Sequence, residues 1–307
     1  MRIPTELQVV AIDDVAVDVR TLEFATTDGT PFPEWEPGAH IALEVGEFRR
    51  QYSLIDGSGD RCRIAVLRDP HSRGGSEYLH TRVRVGDRLP LGSLANDFVF
   101  APRPVTFVAG GIGITPILPM IDEALGRGLE VDLHYGGRDR AHMAFLDRIT
   151  GLTGHPRFAA VVTGDDVDGP IDVAAALAAR PDEDPVYCCG PAGLIDAVRG
   201  AANGRTVYSE LFRADTDTAG AEFFVTIGER GDPIPVAAES TLLDTLRDRG
   251  YDLPSSCEEG TCGTCEIPVL RGDIDHRDHV LGESERRAGD TIIPCVSRAP
   301  GVLAIEL

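Results

Sequence analysis

Four of the seven cysteines place the strongest constraint on this chain. Cys257, Cys262 and Cys265 fall within nine positions of the loop CEEGTCGTCEIPV, and Cys295 follows in TIIPCVSRA. The pattern is C-x4-C-x2-C, then 29 intervening residues, then C. This is the spacing of a plant-type 2Fe–2S ligand set. Two irons bridged by two sulfides need four thiolates, and one compact loop can wrap three of them. Gly260 and Gly263 carry no side chain to keep backbone amides from the sulfurs, and Ser255 and Ser256 add candidate hydroxyl donors. A four-cysteine zinc site is the competing reading. Such a site ordinarily pairs two short C-x2-4-C units, whereas here one such pair exists and Cys257 and Cys295 stand apart. Cys62, Cys188 and Cys189 lie elsewhere, and Cys62 reads as core.

Composition narrows the classes around that loop. The 307 residues suffice for two or three domains, and 42% hydrophobic content is that of an ordinary globular chain. No apolar run approaches the ~20 residues of a membrane span, and the first residues lack a basic-then-apolar leader. The expected compartment is the cytoplasm, where cysteines serve as metal ligands or redox groups rather than disulfides. A formal net charge of −21 argues against nucleic acid and anionic membrane surfaces, and suits a basic protein partner. The chain has no lysine, which excludes Schiff-base and P-loop chemistry.

Three rhythms follow one another. Residues 1–102 carry short β-rich runs, LQVVAI, VAVDVRTLEF, HIALEV, RQYSLI and CRIAVLR, broken by Gly, Pro and Asp clusters. They predict a small antiparallel β-barrel. Residues 103–213 alternate strand and helix, which predicts a doubly wound parallel α/β sheet. Residues 214–220 read as a linker. Residues 221–307 begin as a hairpin and an amphipathic helix and run into the cysteine loop.

GYDLPSSCEEGTCGTCEIPVLRGDIDHRDHVL and ERRAGDTIIPCVSRAPGVLAIEL resemble the C-terminal ferredoxin domain of the phthalate dioxygenase reductase family, which includes the vanillate demethylase reductase subunits. The resemblance extends over the whole chain. It implies a flavin-binding barrel, a nicotinamide-binding α/β domain and an α+β (β-grasp) plant-type ferredoxin domain, in that order. His276 and His279, three apart in HRDHVL, are expected to be structural.

RQYSLI at 50–55 resembles the R-x-Y-S motif of ferredoxin reductase-like flavin domains. On that resemblance Arg50 pairs with flavin phosphate, Tyr52 stacks on the ring and Ser53 donates towards N5, with Gln51 between them. An arginine fork suits a phosphate because it offers parallel donors. RGGSEYLH at 73–80 supplies Gly74, Gly75 and Ser76, whose amides and hydroxyl are candidates for the same phosphate at a helix start. Ala65, Val66 and Leu67 of the preceding strand would run beside the isoalloxazine. The family pattern implies FMN rather than FAD. Phe212, in SELF, falls where the family places an aromatic over the flavin; a strand-end Phe is the plain alternative.

VTFVAGGIGITPILPMI has the order strand, glycine turn, helix. Gly111 and Gly113 would bring amides to a pyrophosphate at the positive end of the helix, and Thr115 would reach nicotinamide or flavin. YCCGPAGLIDAV resembles the family's C-G-P motif, so that Cys189 lies near the hydride path with Gly190 and Pro191 beside it. In HYGGRDR, Arg138 is a candidate ribose-phosphate contact and Asp139 would repel a 2′-phosphate. The resemblance favours NADH.

A nicotinamide delivers two electrons at once, while a plant-type cluster accepts one; flavin is the group that converts between them. Ser53, Thr115 and Cys189 are the candidate catalytic positions. No cysteine has His two residues later, so the chain has no Rieske site. The expected partner is a separate terminal oxygenase, best a Rieske non-haem iron aromatic oxygenase or O-demethylase. The alternative is an FAD-containing reductase feeding a haem-thiolate or di-iron monooxygenase. A zinc-stabilised NAD-binding regulator is the non-enzymatic rival, and it would be colourless. A monomer is expected.

Overall fold

The computed structural model describes residues 4–46, 48–70, 74–212, 218–255 and 257–307. Arg73 of the glycine turn, the first part of the expected linker (214–217) and Ser256 lie outside the described residues. The chain divides into two units, Met1–Phe212 and Arg213–Leu307.

The first unit opens with six antiparallel strands, β1 (Glu6–Ala16), β2 (Val19–Thr26), β3 (His40–Val45), β4 (Phe48–Asp56), β5 (Arg61–Leu67) and β6 (Arg88–Ala95). They close into a barrel in the order β1-β2-β5-β4-β3-β6. Alternation along the strands sends Leu7, Leu22, Phe24, Leu43, Leu54 and Ile64 into its core. Two details depart from the sequence pattern. VAVDVRTLEF is not one strand: the chain reverses at Val17–Asp18, with Asp18 at φ 59 and Ala16 paired to Val19. Asp tolerates that left-handed position, so no glycine marks the turn. RLPLGSLA, which forms β6, is missing from the predicted strands because Pro90 and Gly92 interrupt it. Gly92 sits where the β3–β6 register slips between Ala42 and Leu43, and a Cβ there would lie 2.9 Å from the Arg49 guanidinium. A short helix, α1 (Gly75–Thr81), bridges β5 and β6.

A parallel sheet follows: β7 (Val105–Gly110), β8 (Val131–Gly137), β9 (Phe158–Gly164), β10 (Val186–Cys189) and β11 (Val207–Glu210), with helices α2 (Ile114–Gly126), α3 (Leu146–Leu152), α4 (Val173–Ala178) and α5 (Ala192–Ala201). The strand order is β11-β10-β7-β8-β9. One face packs on α2 through Phe107, Leu133 and Ile117, the other on α4 and α5 through Val108, Cys188 and Val198. Burial on both faces explains why the central strands β7 and β10 are almost wholly apolar rather than alternating. Progression runs from β7 outward to β9, then returns to the other flank for β10 and β11. The order therefore reverses between β7 and β10, and in open α/β sheets the crevice at such a switch point is where ligands bind. Tyr187 staples the barrel-to-sheet connection to this sheet. Its hydroxyl accepts from Ala101 N–H at 3.0 Å and donates to Val99 O at 3.2 Å.

The second unit is a mixed sheet of β12 (Phe223–Ile227), β13 (Ile234–Val236), β14 (Ile267–Arg271), β15 (Thr291–Ile292) and β16 (Val302–Ile305), in the order β13-β12-β16-β14-β15. Helix α6 (Leu242–Asp248) lays Leu242 and Leu246 on a core with Phe223, Val225 and Leu303. Thr241 caps α6 by accepting from Asp244 N–H at 3.0 Å. A one-and-a-half-turn helix, α7 (Glu283–Ala288), precedes β15. This is the expected hairpin, helix and loop arrangement.

Candidate functional site

The cysteine loop joins α6 to β14 and is built on three left-handed residues, Glu258 (φ 55), Gly260 (φ 72) and Gly263 (φ 73). At Gly260 a Cβ would meet Val296 Cγ2 at 2.5 Å and the Asp278 backbone at 3.2 Å. The glycine is there for close approach as well as for its dihedral angle. The turn aims the N–H groups of Glu259 and Thr261 at Cys257 Sγ, each at 3.4 Å. The sulfurs associate in two pairs, Cys257 with Cys262 and Cys265 with Cys295. Among the described residues no three His, Cys, Asp or Glu side chains converge on one metal position. Two thiolates for each of two irons is the arrangement a binuclear cluster needs. The hydrogen bond from Cys262 pulls the Cys257 thiol down to about 5 against the opposing effect of burial, while its partner is pushed up. Cys265 is likewise lowered by its bond to Cys295, which is raised.

One neighbour of the loop differs from expectation. Ser255 does not serve the sulfurs: its hydroxyl donates to Glu258 Oε1 at 2.8 Å and accepts from Arg247. The HRDHVL segment forms a second wall. His279 N–H donates to Gly260 O at 2.8 Å, and the buried Asp278 carboxylate accepts from Val280 N–H (3.1 Å) and Leu281 N–H (2.8 Å). His276 stands with Nδ1 at 3.5 Å from Asp278. Both histidines belong to the wall of the loop.

In the first unit, folding brings the RQYS strand and the glycine turn together. A Cβ on Gly75 would lie 2.7 Å from Arg50 Cγ, and one on Gly74 (φ 110) would strike the Phe48 ring. Arg50 lies over that ring at 5.1 Å and donates to Arg49 O at 2.8 Å. Gly74 and Gly75 therefore form a cradle that any side chain would fill, beside a guanidinium, and a phosphate fits this donor set. Ser76 Oγ accepts from Asp69 N–H at 3.3 Å. Tyr52 packs on the barrel core, and burial raises its phenol. Gln51 precedes the buried Ser53 on β4, and Ser53 lies opposite His40. On β5, Val66 points into the barrel core and its carbonyl meets His80 Nε2 at 2.9 Å, Ala65 packs on the α2 side and Leu67 is exposed. The backbone is thus what 65–67 offers a ligand.

At the switch point, Gly113 and Gly190 are sites of backbone contact. A Cβ on Gly113 would sit 2.5 Å from the Cys189 carbonyl carbon and 2.9 Å from Gly190 N; one on Gly190 would sit 3.0 Å from Gly110. At Gly110, absent from the sequence reading, a Cβ would stand 2.7 Å from Pro191 Cδ, whereas Gly111 has open space and is required only for its φ of 54. Thr115 is 2% exposed and donates to Ile112 O at 2.9 Å, so its hydrogen is spent within the turn. Burial keeps the Cys189 thiol neutral. Arg138 is exposed at the end of β8, and Asp139 turns to His142, with Nδ1 at 2.6 Å. Phe212 packs against the α2-side core.

Two groups at this junction escaped sequence reasoning. His40 is 4% exposed, with neither ring nitrogen hydrogen-bonded among the described residues and Nε2 at 4.0 Å from Asp97. Glu210, paired with Cys189 across β10 and β11, is pushed up to about 8 by burial and by the charge of Asp97. His40 hides in the strand HIALEV and Glu210 in SELF, where burial rather than motif marks them.

Residues 225–300 match the 2Fe-2S iron-sulfur cluster binding domain family, and residues 107–200 the oxidoreductase NAD-binding domain family. The chain is 38% identical over 304 residues to the phenoxybenzoate dioxygenase subunit beta of Ectopseudomonas oleovorans, covering 96% of this chain and 94% of that one. A solved phthalate dioxygenase reductase, described as a modular structure for electron transfer from pyridine nucleotides to [2Fe-2S], superposes with a TM-score of 0.77 at 33% identity, covering 98% and 97%. This chain belongs to the phthalate dioxygenase reductase family. Like other members it is an NAD-linked oxidoreductase with a 2Fe–2S domain, a reductase component of an oxygenase system. The structure of an intact type IV self-sufficient cytochrome P450 monooxygenase also matches, with a TM-score of 0.80 and 37% identity. That match covers 99% of this family member and 41% of the P450 chain, so this chain spans about two fifths of its length. No helix among the described residues is long and apolar enough to cross a membrane.

Proposed function

We propose that this chain takes hydride from NADH onto FMN and delivers single electrons through its 2Fe–2S cluster to a separate terminal oxygenase of the Rieske non-haem iron type. In this reading residues 1–102 hold flavin, 103–213 hold nicotinamide and 221–307 hold the cluster, with 214–220 as the linker. The observation that carries it is the conjunction, in one chain, of a paired four-cysteine loop, a phosphate cradle beside Arg50 and a glycine-lined switch point.

FMN, when bound, supplies the conversion of a two-electron hydride into single electrons. Arg50, Gly74, Gly75 and Ser76 would hold and neutralise its phosphate, and Tyr52 and the backbone of 65–67 would flank its ring. Gly111 and Gly113 present the positive end of α2 to the dinucleotide, while Gly190 and Pro191 shape the nicotinamide side and Phe212 closes it. Ser53, Thr115 and Cys189 line the meeting point. Positioning is the main catalytic task, since no strong acid or base is required. Glu210 is protonated near neutrality and places no charge against the thiol of Cys189. Arg138 contacts the adenosine ribose, and Asp139 disfavours a 2′-phosphate, which supports NADH. Cys257, Cys262, Cys265 and Cys295 ligate the cluster.

The second unit from residue 221 carries a net charge of −9, which suits a basic docking face on the oxygenase. Similarity to part of a self-sufficient P450 monooxygenase favours a haem-thiolate partner as the second reading. Anaerobic titration with NADH, followed by absorbance and electron paramagnetic resonance, tests the chemistry. Flavin bleaching and a rhombic reduced-cluster signal are expected. Cys262→Ser should keep the bleaching and lose transfer to the acceptor; if both persist, the ligand assignment fails. Reduction of a purified Rieske oxygenase, slowed by salt, and not of a P450, identifies the partner class.

A further inference from the structure

Glu258 is the first residue after Cys257 and the one non-glycine residue of the cysteine loop held at positive φ, at 55°. An L side chain resists this region, and a charged residue there needs something outside the turn to hold it. The structure supplies that restraint. Glu258 Oε1 accepts from Arg247 at 2.9 Å and from the Ser255 hydroxyl at 2.8 Å. Arg247, on the last turn of α6, also donates to Leu253 O at 3.1 Å and to Ser255 Oγ. One guanidinium therefore ties the helix, the chain leading into the loop and the Glu258 carboxylate together.

The consequence lies one residue further on. With Glu258 left-handed, the next amides turn inward, and Glu259 N–H and Thr261 N–H both reach Cys257 Sγ at 3.4 Å. Hydrogen bonds to ligating sulfur stabilise the extra negative charge of a reduced cluster and raise its potential. We infer that the Arg247–Glu258 latch is a positioning device: it holds the loop in the conformation that aims two amides at Cys257 and so sets the driving force for electron acceptance. Neither side chain needs to contact iron. The inference rests on the reading of Cys257, Cys262, Cys265 and Cys295 as the ligands of a 2Fe–2S cluster.

The signs of two substitutions separate the latch from a simple field effect. A through-space effect has Arg247→Met lower the potential and Glu258→Ala raise it, because opposite charges are removed. A latch has both lower it, since either change releases the loop. The expected result is a loss of about tenfold in the equilibrium constant for taking up one electron in each variant, which is ~59 mV. Glu258→Gln keeps the acceptor and should stay near wild type. Glu258→Gly loses the latch but accepts positive φ at no steric cost, so it should fall between wild type and Glu258→Ala. The measurement is a mediated redox titration of the full-length holoprotein followed by electron paramagnetic resonance, with g-values recorded. If Arg247→Met or Glu258→Ala does not hold its cluster, iron and sulfide retention over time replaces the potential, and Glu258→Gln should retain both. Potentials that shift in opposite directions, or that match wild type in every variant, overturn the latch. Wild-type protein without iron and labile sulfide would sink the cluster reading itself, a result visible before any variant is made.

Discussion

Gly113→Ala is the sharpest test of the switch point. Gly113 has φ −60, which any residue adopts, so alanine brings no backbone strain of its own. The obstacle is steric: the new methyl would stand 2.5 Å from the Cys189 carbonyl carbon and 2.9 Å from Gly190 N, against an ordinary contact of 3.4 Å. Both neighbours are backbone atoms at the end of β10, which is clamped between β7 and β11, so the start of α2 must retreat by about an ångström. A displacement of that size in a positioned reactant costs about 10²-fold in rate, or ~2.7 kcal/mol of barrier. Overpacking adds about 1–3 kcal/mol of lost stability. The assay is anaerobic stopped-flow reduction of bound flavin by NADH, with flavin content and dithionite reduction of the cluster as controls. Two companions calibrate it. Gly111→Ala meets no atom within 4 Å and bears only the strain of φ 54, so its effect should be much smaller. Gly193→Ala, also unobstructed and exposed on α5, should be neutral or stabilise by up to about 1 kcal/mol. If Gly113→Ala reduces its flavin at the wild-type rate, or no more slowly than Gly111→Ala, close approach of the two turns is not what forms the site.

Three further outcomes are expected. Arg50→Ala should weaken flavin binding by about 10–100-fold, the worth of a charge-assisted contact, measured by flavin fluorescence; unchanged affinity would remove Arg50 from the cradle. Glu210 titrates near 4.5 when unfolded and at about 8 when folded, so between those values the native chain holds a proton that the unfolded chain has lost. Its stability therefore falls as pH rises through that window, by up to about 1.4 kcal/mol per pH unit. Glu210→Gln should gain on wild type in urea midpoint from pH 5 to pH 8, and a gap independent of pH would contradict the shift. Tyr187→Phe retains the ring packing but removes the hydrogen bonds to Ala101 N–H and Val99 O, at about 0.5–1.5 kcal/mol, or a few degrees in Tm. An unchanged Tm would mean that the staple carries no stability.

Local signals were legible wherever one short segment carried both the residue types and their spacing. The cysteine pattern, the glycine turn after β7 and the run HIALEV announce ligands, phosphate site and strand without any knowledge of neighbours. β6 was not legible, because Pro90 and Gly92 break its pattern and are tolerated only at a bulge that exists once β3 is alongside. The β1–β2 hairpin was missed for the opposite reason: Asp18 makes a turn without glycine, so two strands looked like one.

Spacing along the chain was enough to single out four cysteines as one candidate ligand set, to mark a strand–turn–helix as a candidate phosphate site and to give the order barrel, parallel sheet, ferredoxin-like unit. Those properties are written in neighbours a few bonds apart. Folding alone decided which glycines are steric necessities, that Ser255 serves Glu258 instead of sulfur, and that His40 and the Glu210 Oε2 are shut away from water. Each depends on what a remote segment places against the residue. A side chain's burial, its partner and the space for one more carbon are set by segments remote along the chain, as Asp97 is from Glu210 and Cys189 from Gly113.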